Sequence, residues 1–448
     1  MELKRILVAS RGEIARRLIR YYKGLGIETV AVFSEPDVDQ PWVEEADYPV
    51  YLNGKTVAET YMHPQRVVSA ALDAGCDAIH PGYCFLAERI DFIQYALNAN
   101  MGVIGNEPRA LWRAVDRFEL RKHAREVNIP LVPASDPLDE KDDGVAIGAQ
   151  LGLPLFVKAV GGGVIRRVSR LEDLPAAVAT VRDAAGLVTG ERSVFLERAV
   201  DKLRSVSTTV AGDRQGNVVH LGESDSSLQY QFHTWVEETG KDLVPHDVSA
   251  RLGPAAAELA RKIGWVGVGR VRWAVTPNDG WYLLGFSGRL TTGYTLTEQV
   301  LGIDLIDLQH RVTLGENVGW SQGDVKIERH GVQLRVLPVD PLRPEADVDG
   351  HIERLVLPEG DHVLSETGTK EGQPCNPDTD PLLAKITITG PTRHATLVRA
   401  RAALEDLVIE GVPTNRDFLM RLLADEAVWR GDYDTHTIER MLPQDDIA

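Results

Sequence analysis

Residues 155–163 read LFVKAVGGG: an apolar run interrupted by Lys158 and closed by Gly161-Gly162-Gly163. The pattern predicts a buried strand carrying an ammonium near its end, followed by a loop whose backbone amides can approach a ligand closely. A lysine beside such a loop suits nucleotide phosphates, and a plain glycine turn reads equally well from this stretch alone. Two later stretches add weight, VFLER at 194–198 and QYQFHTWVEE at 229–238. Both are strand-like, and each brings polar groups (Glu197; Gln229, Thr234) to the same block as Lys158.

Upstream, short apolar runs alternate with helical periodicity. A strand at 6–9 leads through Ser10-Arg11-Gly12 into a helix from Glu13, with Ile14, Leu18, Ile19 and Tyr22 on one face and Gly24 and Gly26 at its end. A second strand follows at 29–33, then a helix at 64–74, a strand at 77–80, a helix at 88–98 and a strand at 102–104. This order predicts a parallel, doubly wound sheet covered on both faces. The turn at Gly12 carries one of the three glycines of a dinucleotide fingerprint, so a tight structural turn is the favoured reading there and a nicotinamide site the lesser one.

Downstream, one helix is predicted over 110–127, then a loop rich in Asp, Glu and Pro. Strands at 155–160, 194–197 and 207–210 and hairpin turns at 213–216 and 277–280 give an α+β block. The last block opens with strands at 332–336, 354–357 and 385–389 and closes with helices at 394–406 and 416–424. With 448 residues and about 150 per domain, three domains are expected, at 1–112, 113–324 and 325–448, with a lid subdomain at about 133–205.

Forty-nine basic against 66 acidic side chains leave a net charge of −17. That balance argues against a nucleic-acid partner, while a local basic groove for a small anion stays open. Cys76, Cys84 and Cys375 form no paired motif, which suits a reducing compartment and no structural zinc. No secretory leader and no apolar run of membrane-spanning length is evident, so a cytoplasmic protein without a membrane partner is expected.

In its ordered motifs the chain resembles biotin carboxylase, an ATP-grasp enzyme, over nearly its whole length. The matching stretches are ILVASRGEI at 6–14, HPGYCFLAE at 80–88, Lys158-Ala159 with the glycine triplet, Val236-Glu237-Glu238, Thr297-Glu298, LGIDLI at 301–306, DPLLAK at 380–385 and EGVPTN at 410–415. The resemblance implies a three-domain fold of mixed α/β and α+β class: a parallel-sheet amino-terminal domain, an ATP-grasp domain with a lid, and a carboxy-terminal α+β domain. It also implies MgATP-driven phosphorylation of bicarbonate and carboxylation of biotin carried on a partner.

Carried over residue by residue, the chemistry is largely missing. The family's metal-binding carboxylates fall on Arg272 and Gly285, its assisting asparagine on Ser287 and its general-base glutamate on Gly293. A guanidinium cannot serve as a metal ligand, so no metal is expected. Phosphate-contacting residues fall on Phe232 and Thr234, and a ribose-contacting histidine on Ser205. The lid is shorter, with stiff Val164 and Ile165 where the family has glycines. Arg117, Lys158, Gly161, Gly162, Gly163, Glu197 and Gln229 are retained or conservatively replaced, which implies ATP or ADP bound weakly without productive magnesium.

Arg289 and Arg335 also match family residues. They read either as a pair for binding an anion or as structural ion-pair partners, while Asp380 and Lys385 read as structural. The family's dimer contacts fall on Arg20, Gly24, Asp361 and Leu364, which puts the homodimer in doubt. The expectation is a pseudoenzyme, a structural or regulatory subunit working with a biotin carboxylase, a biotin carboxyl carrier or a carboxyltransferase component. The alternatives are an active ligase or carboxylase with repurposed chemistry and a nucleotide or acyl-CoA sensor.

Overall fold

The computed structural model describes residues 3–443 except 162–163, 190–191, 201, 242, 279, 344–347, 349 and 376–380, and the side chains of 187–189. Gly162, Gly163 and Asp380 therefore lie outside the described residues. The amino-terminal strands β1 (Arg5–Val8), β2 (Glu28–Phe33), β3 (Tyr48–Tyr51), β4 (Ala78–His80) and β5 (Gly102–Val103) form one parallel sheet in the order β3-β2-β1-β4-β5. The helix Gly12–Gly24 buries Ile14, Leu18, Ile19 and Tyr22, the face predicted from their spacing.

The turn that opens this helix is a structural crossing. Gly12 has φ +64, and a Cβ placed on Gly368 would collide with the Gly12 backbone. Two chain segments far apart in sequence touch there through their glycines. Gly368→Ala is expected to cost about 1–3 kcal/mol, since the obstruction is main chain that cannot swing away. Gly24→Ala, with nothing within 4 Å of the new methyl, should be neutral or slightly stabilising. Thermal unfolding of the two variants checks the contrast.

The predicted helix over 110–127 is instead two helices, Pro108–Val115 and Arg117–Glu126. Asp116 adopts extended geometry between them, and its carboxylate accepts hydrogen bonds from Phe118 N–H at 3.0 Å and Glu119 N–H at 2.9 Å. An N-cap breaks the run because its side chain competes with helical continuation. The break sets the direction of Arg117, the first residue after the cap.

Strands β6 (Leu155–Ala159), β7 (Ile165–Val168) and β8 (Val194–Arg198) form a separate antiparallel sheet in the order β7-β6-β8. Strands β9 (Arg204–Gly212), β10 (Val218–Tyr230), β11 (His233–Thr239), β12 (Gly267–Val275), β13 (Trp281–Ser287) and β14 (His330–Val336) belong to the main sheet. Beyond them come β15 (Arg354–Val356), β16 (Val363–Glu366), β17 (Ala384–Gly390) and β18 (Val408–Glu410). The main sheet runs β13-β12-β9-β10-β11-β14-β17-β16, while β15 pairs with β18. The carboxy-terminal strands thus extend the central sheet through the β11–β14 pair, and residues distant in sequence converge on it.

Candidate functional site

Lys158 lies directly opposite Phe195 in the β6–β8 pair, so both side chains stand on one face of the small sheet. Glu197, two residues along β8, shares that face. Its carboxylate pairs with the Lys158 ammonium, and with Arg121 at 3.5 Å. The Arg117 guanidinium lies over the Phe195 ring, 5.8 Å from its centroid. Burial pushes the Lys158 proton affinity down, Glu197 pulls it back, and Arg117 and Arg272 lower it further. Lys158 is buried, Ile165 pairs with it in register, and Ala159 N–H donates to Val164 O at 3.0 Å. Of the two stiff residues of the glycine-rich segment, Ile165 opens β7 and Val164 immediately precedes it.

Arg272 enters from β12, where it pairs in register with Gly285 of β13. A Cβ on Gly285 would sit 2.8 Å from the Arg272 guanidinium, so the missing side chain makes the room that the arginine uses. Arg272 is exposed. Among the described residues, neither the Arg272 nor the Arg117 side chain makes a hydrogen bond or ion pair. A Cβ on Gly293 would strike the Glu237 carboxylate. That carboxylate is held by Arg270 and Arg335, each at 2.6 Å, and by Ser224 at 2.9 Å. Burial raises its pKa, but the two arginines outweigh burial and hold it below the usual carboxylate range.

Arg289 and Arg335 are not joined into one anion pocket. Arg289 binds Glu88 at 2.9 Å, and the other Glu88 oxygen accepts from Gly288 N–H at 2.6 Å. Ser287 pairs in register with Arg270. The Ser205 hydroxyl lies 3.1 Å from that of Ser226. Gln229 pairs with Thr234 beside the β10–β11 turn, where Gln231 and Phe232 both take positive φ and Phe232 is 70% exposed. Gly161 lies in the turn after β6, one residue beyond Val160.

Magnesium takes oxygen ligands, carboxylates above all. The positions assigned to it present a guanidinium, a glycine and the hydroxyl of Ser287, while the Glu88 carboxylate is already engaged. Among the described residues, no three His, Cys, Asp or Glu side chains converge in a metal-holding group. This donor set does not fit a magnesium ion.

Glu88, Arg121, Glu237 and Arg270 were not singled out as site residues from the sequence. Glu88 and Glu237 sat inside quoted motifs and carried a usable signal. Arg121 carried one too, since it stands four residues after Arg117 and shares its helix face whether or not the helix is broken at Asp116.

Residues 2–111 match the biotin carboxylase N-terminal domain, 116–320 the carbamoyl-phosphate synthase L chain ATP-binding domain, and 333–440 the biotin carboxylase C-terminal domain. The chain is 32% identical over 438 residues to a biotin carboxylase of Halalkalibacterium halodurans, covering 96% of each. It is 32% identical to the mitochondrial methylcrotonoyl-CoA carboxylase subunit alpha of Oryza sativa, covering 98% of this chain and 60% of that one. The biotin carboxylase domain dimer of Hydrogenobacter thermophilus 2-oxoglutarate carboxylase, solved with MgADP, ADP and bicarbonate, superposes with a TM-score of 0.93 at 30% identity, covering 98% of both chains. The chain belongs to the biotin carboxylase family and has its three-domain ATP-grasp fold. Among the described residues no helix is long and apolar enough to cross a membrane.

Proposed function

We propose that this chain is a family member without bicarbonate-dependent carboxylation, acting in the cytoplasm as a structural or regulatory subunit of a biotin-dependent acyl-CoA carboxylase system. Its domains divide at 112/113 and 324/325. The carrying observation is the Arg272 guanidinium seated over Gly285, where a carboxylate pair would be needed to hold a metal. The carboxylate beside Gly293 belongs to Glu237, which two arginines hold in its ionised form. A base so stabilised has little tendency to take up a proton.

An adenine nucleotide is held by Arg117, Lys158, Gly161, Glu197 and Gln229. The rice relative, named as one subunit of a carboxylase, supports a protein partner. The familiar homodimer is not expected, since Arg20 is engaged by Glu45 of its own chain at 2.7 Å.

The test is ATP hydrolysis by the purified chain with magnesium, bicarbonate and free biotin. No increase over the rate without bicarbonate is expected. A bicarbonate- and biotin-dependent increase would overturn the reading, and recovery of no carboxylase component on purification from the native source would remove the subunit role.

A further inference from the structure

Three cations gather around Glu197 at the small sheet, Lys158, Arg121 and Arg117, and a fourth, Arg272, lies within electrostatic reach of Lys158 and Arg117, with Glu88 as its own neighbouring carboxylate. Arg117 and Arg272, which approach from different elements, form no side-chain ion pair among the described residues: Glu197 is taken by Lys158 and Arg121, and Glu88, the carboxylate near Arg272, by Arg289 and the Gly288 N–H. Arg117 is aimed by the Asp116 cap and the Phe195 ring. Arg272 is aimed by its register with Gly285, and the end of β13 packs close to the preceding helix, since a Cβ on Gly288 would meet Leu111 and Val115. Burial is the main cause that lowers the proton affinity of Lys158 and of Arg117, and Arg272 adds to it in both, as expected of neighbouring cations. Like charges in this arrangement repel unless an anion lies between them.

A single carboxylate would neutralise only part of this charge. A chain of two or three linked phosphates offers several oxygens, each suited to a guanidinium. We propose that Arg117, Arg272 and Lys158 hold the di- or triphosphate of a nucleotide free of divalent metal, with the Arg272 guanidinium as the counter-charge. The proposal rests on the nucleotide-holding part of the reading above and adds a sign: magnesium opposes binding. A phosphate chain already carrying magnesium has lost negative charge, and it brings a dication toward an arginine that cannot give up its proton.

Titration calorimetry of the full chain with ADP, ATP and pyrophosphate, in EDTA and in excess magnesium, tests this. ADP and ATP should bind at least about tenfold more tightly in EDTA, the scale of one charge-assisted hydrogen bond. Arg272→Glu should lose or reverse that order. Arg272→Gln should remove the preference without introducing a new charge, which keeps the test open if the glutamate variant does not fold.

Equal or tighter binding in magnesium by the unaltered chain, or no binding of any of the three, overturns the proposal. ADP binding more tightly than pyrophosphate supports a nucleotide as the source of the phosphates, and the reverse overturns it in favour of free polyphosphate. The result is separable from the hydrolysis test: bicarbonate-dependent turnover would defeat the loss of carboxylation whichever way the titration falls. A failed titration leaves that loss standing.

Discussion

Glu238→Ala is expected to lower stability by about 3–5 kcal/mol, the cost of stripping one partner from a buried ion pair. Glu238 is 1% exposed on β11. Arg393 reaches its two oxygens at 2.8 and 2.9 Å, Tyr433 donates to it at 3.2 Å, and His330 lies 3.4 Å away. Without the carboxylate, the Arg393 guanidinium that ties the helix Arg393–Asp406 to the central sheet loses its counter-charge. Burial raises the Glu238 pKa, but His330 and Arg393 outweigh it and bring it to about 2. A depressed carboxylate contributes stability above its unfolded pKa of about 4.3 and loses it as pH falls toward the folded value. Urea unfolding should therefore show a gap between the unaltered chain and Glu238→Gln that is full at pH 7 and closes between about pH 4 and pH 2. A Glu238→Ala cost below about 1 kcal/mol at pH 7 would refute the argument.

Lys385→Met should be comparably severe and should carry the opposite pH dependence. Lys385 is fully buried on β17. Its ammonium binds Glu13 at 2.6 Å and Glu366 at 3.1 Å, and lies 4.4 Å from the centre of the Tyr294 ring. Removing it leaves two carboxylates facing each other without a cation, again a loss of about 3–5 kcal/mol near neutrality. Burial, opposed by Lys385 and reinforced by Glu366, already raises the Glu13 pKa to about 7. A raised carboxylate keeps its proton in the folded state after the unfolded state has lost it, so its contribution falls as pH rises from about 4.3 to that value. Loss of the lysine extends this window upward, and the deficit of Lys385→Met should be larger at pH 8 than at pH 5. An equal deficit at both values would contradict the assigned network.

These two clusters show how far local reading extends. Glu13 lies in ILVASRGEI and Lys385 in DPLLAK, and both motifs were visible as chain segments. Their pairing was not, because 372 residues separate them. The parallel sheet was legible because apolar runs and helical periodicity are properties of a few consecutive residues. The helix break at Asp116 also had a local sign, an N-cap aspartate before Arg-Phe-Glu, but the apolar periodicity on either side obscured it.

The sequence by itself determined the family, the strand and helix alternation that builds the amino-terminal parallel sheet, and the absence of carboxylate side chains at positions 272, 285 and 293. Each of these is carried by residue identity or short-range pattern. Tertiary structure alone decided which charges are satisfied. Arg289 meets Glu88 and Arg335 meets Glu237, while among the described residues the side chains of Arg117 and Arg272 form no ion pair. Two guanidiniums look identical along the chain, and only the placement of distant carboxylates makes one a structural tie and leaves the other without an ion pair.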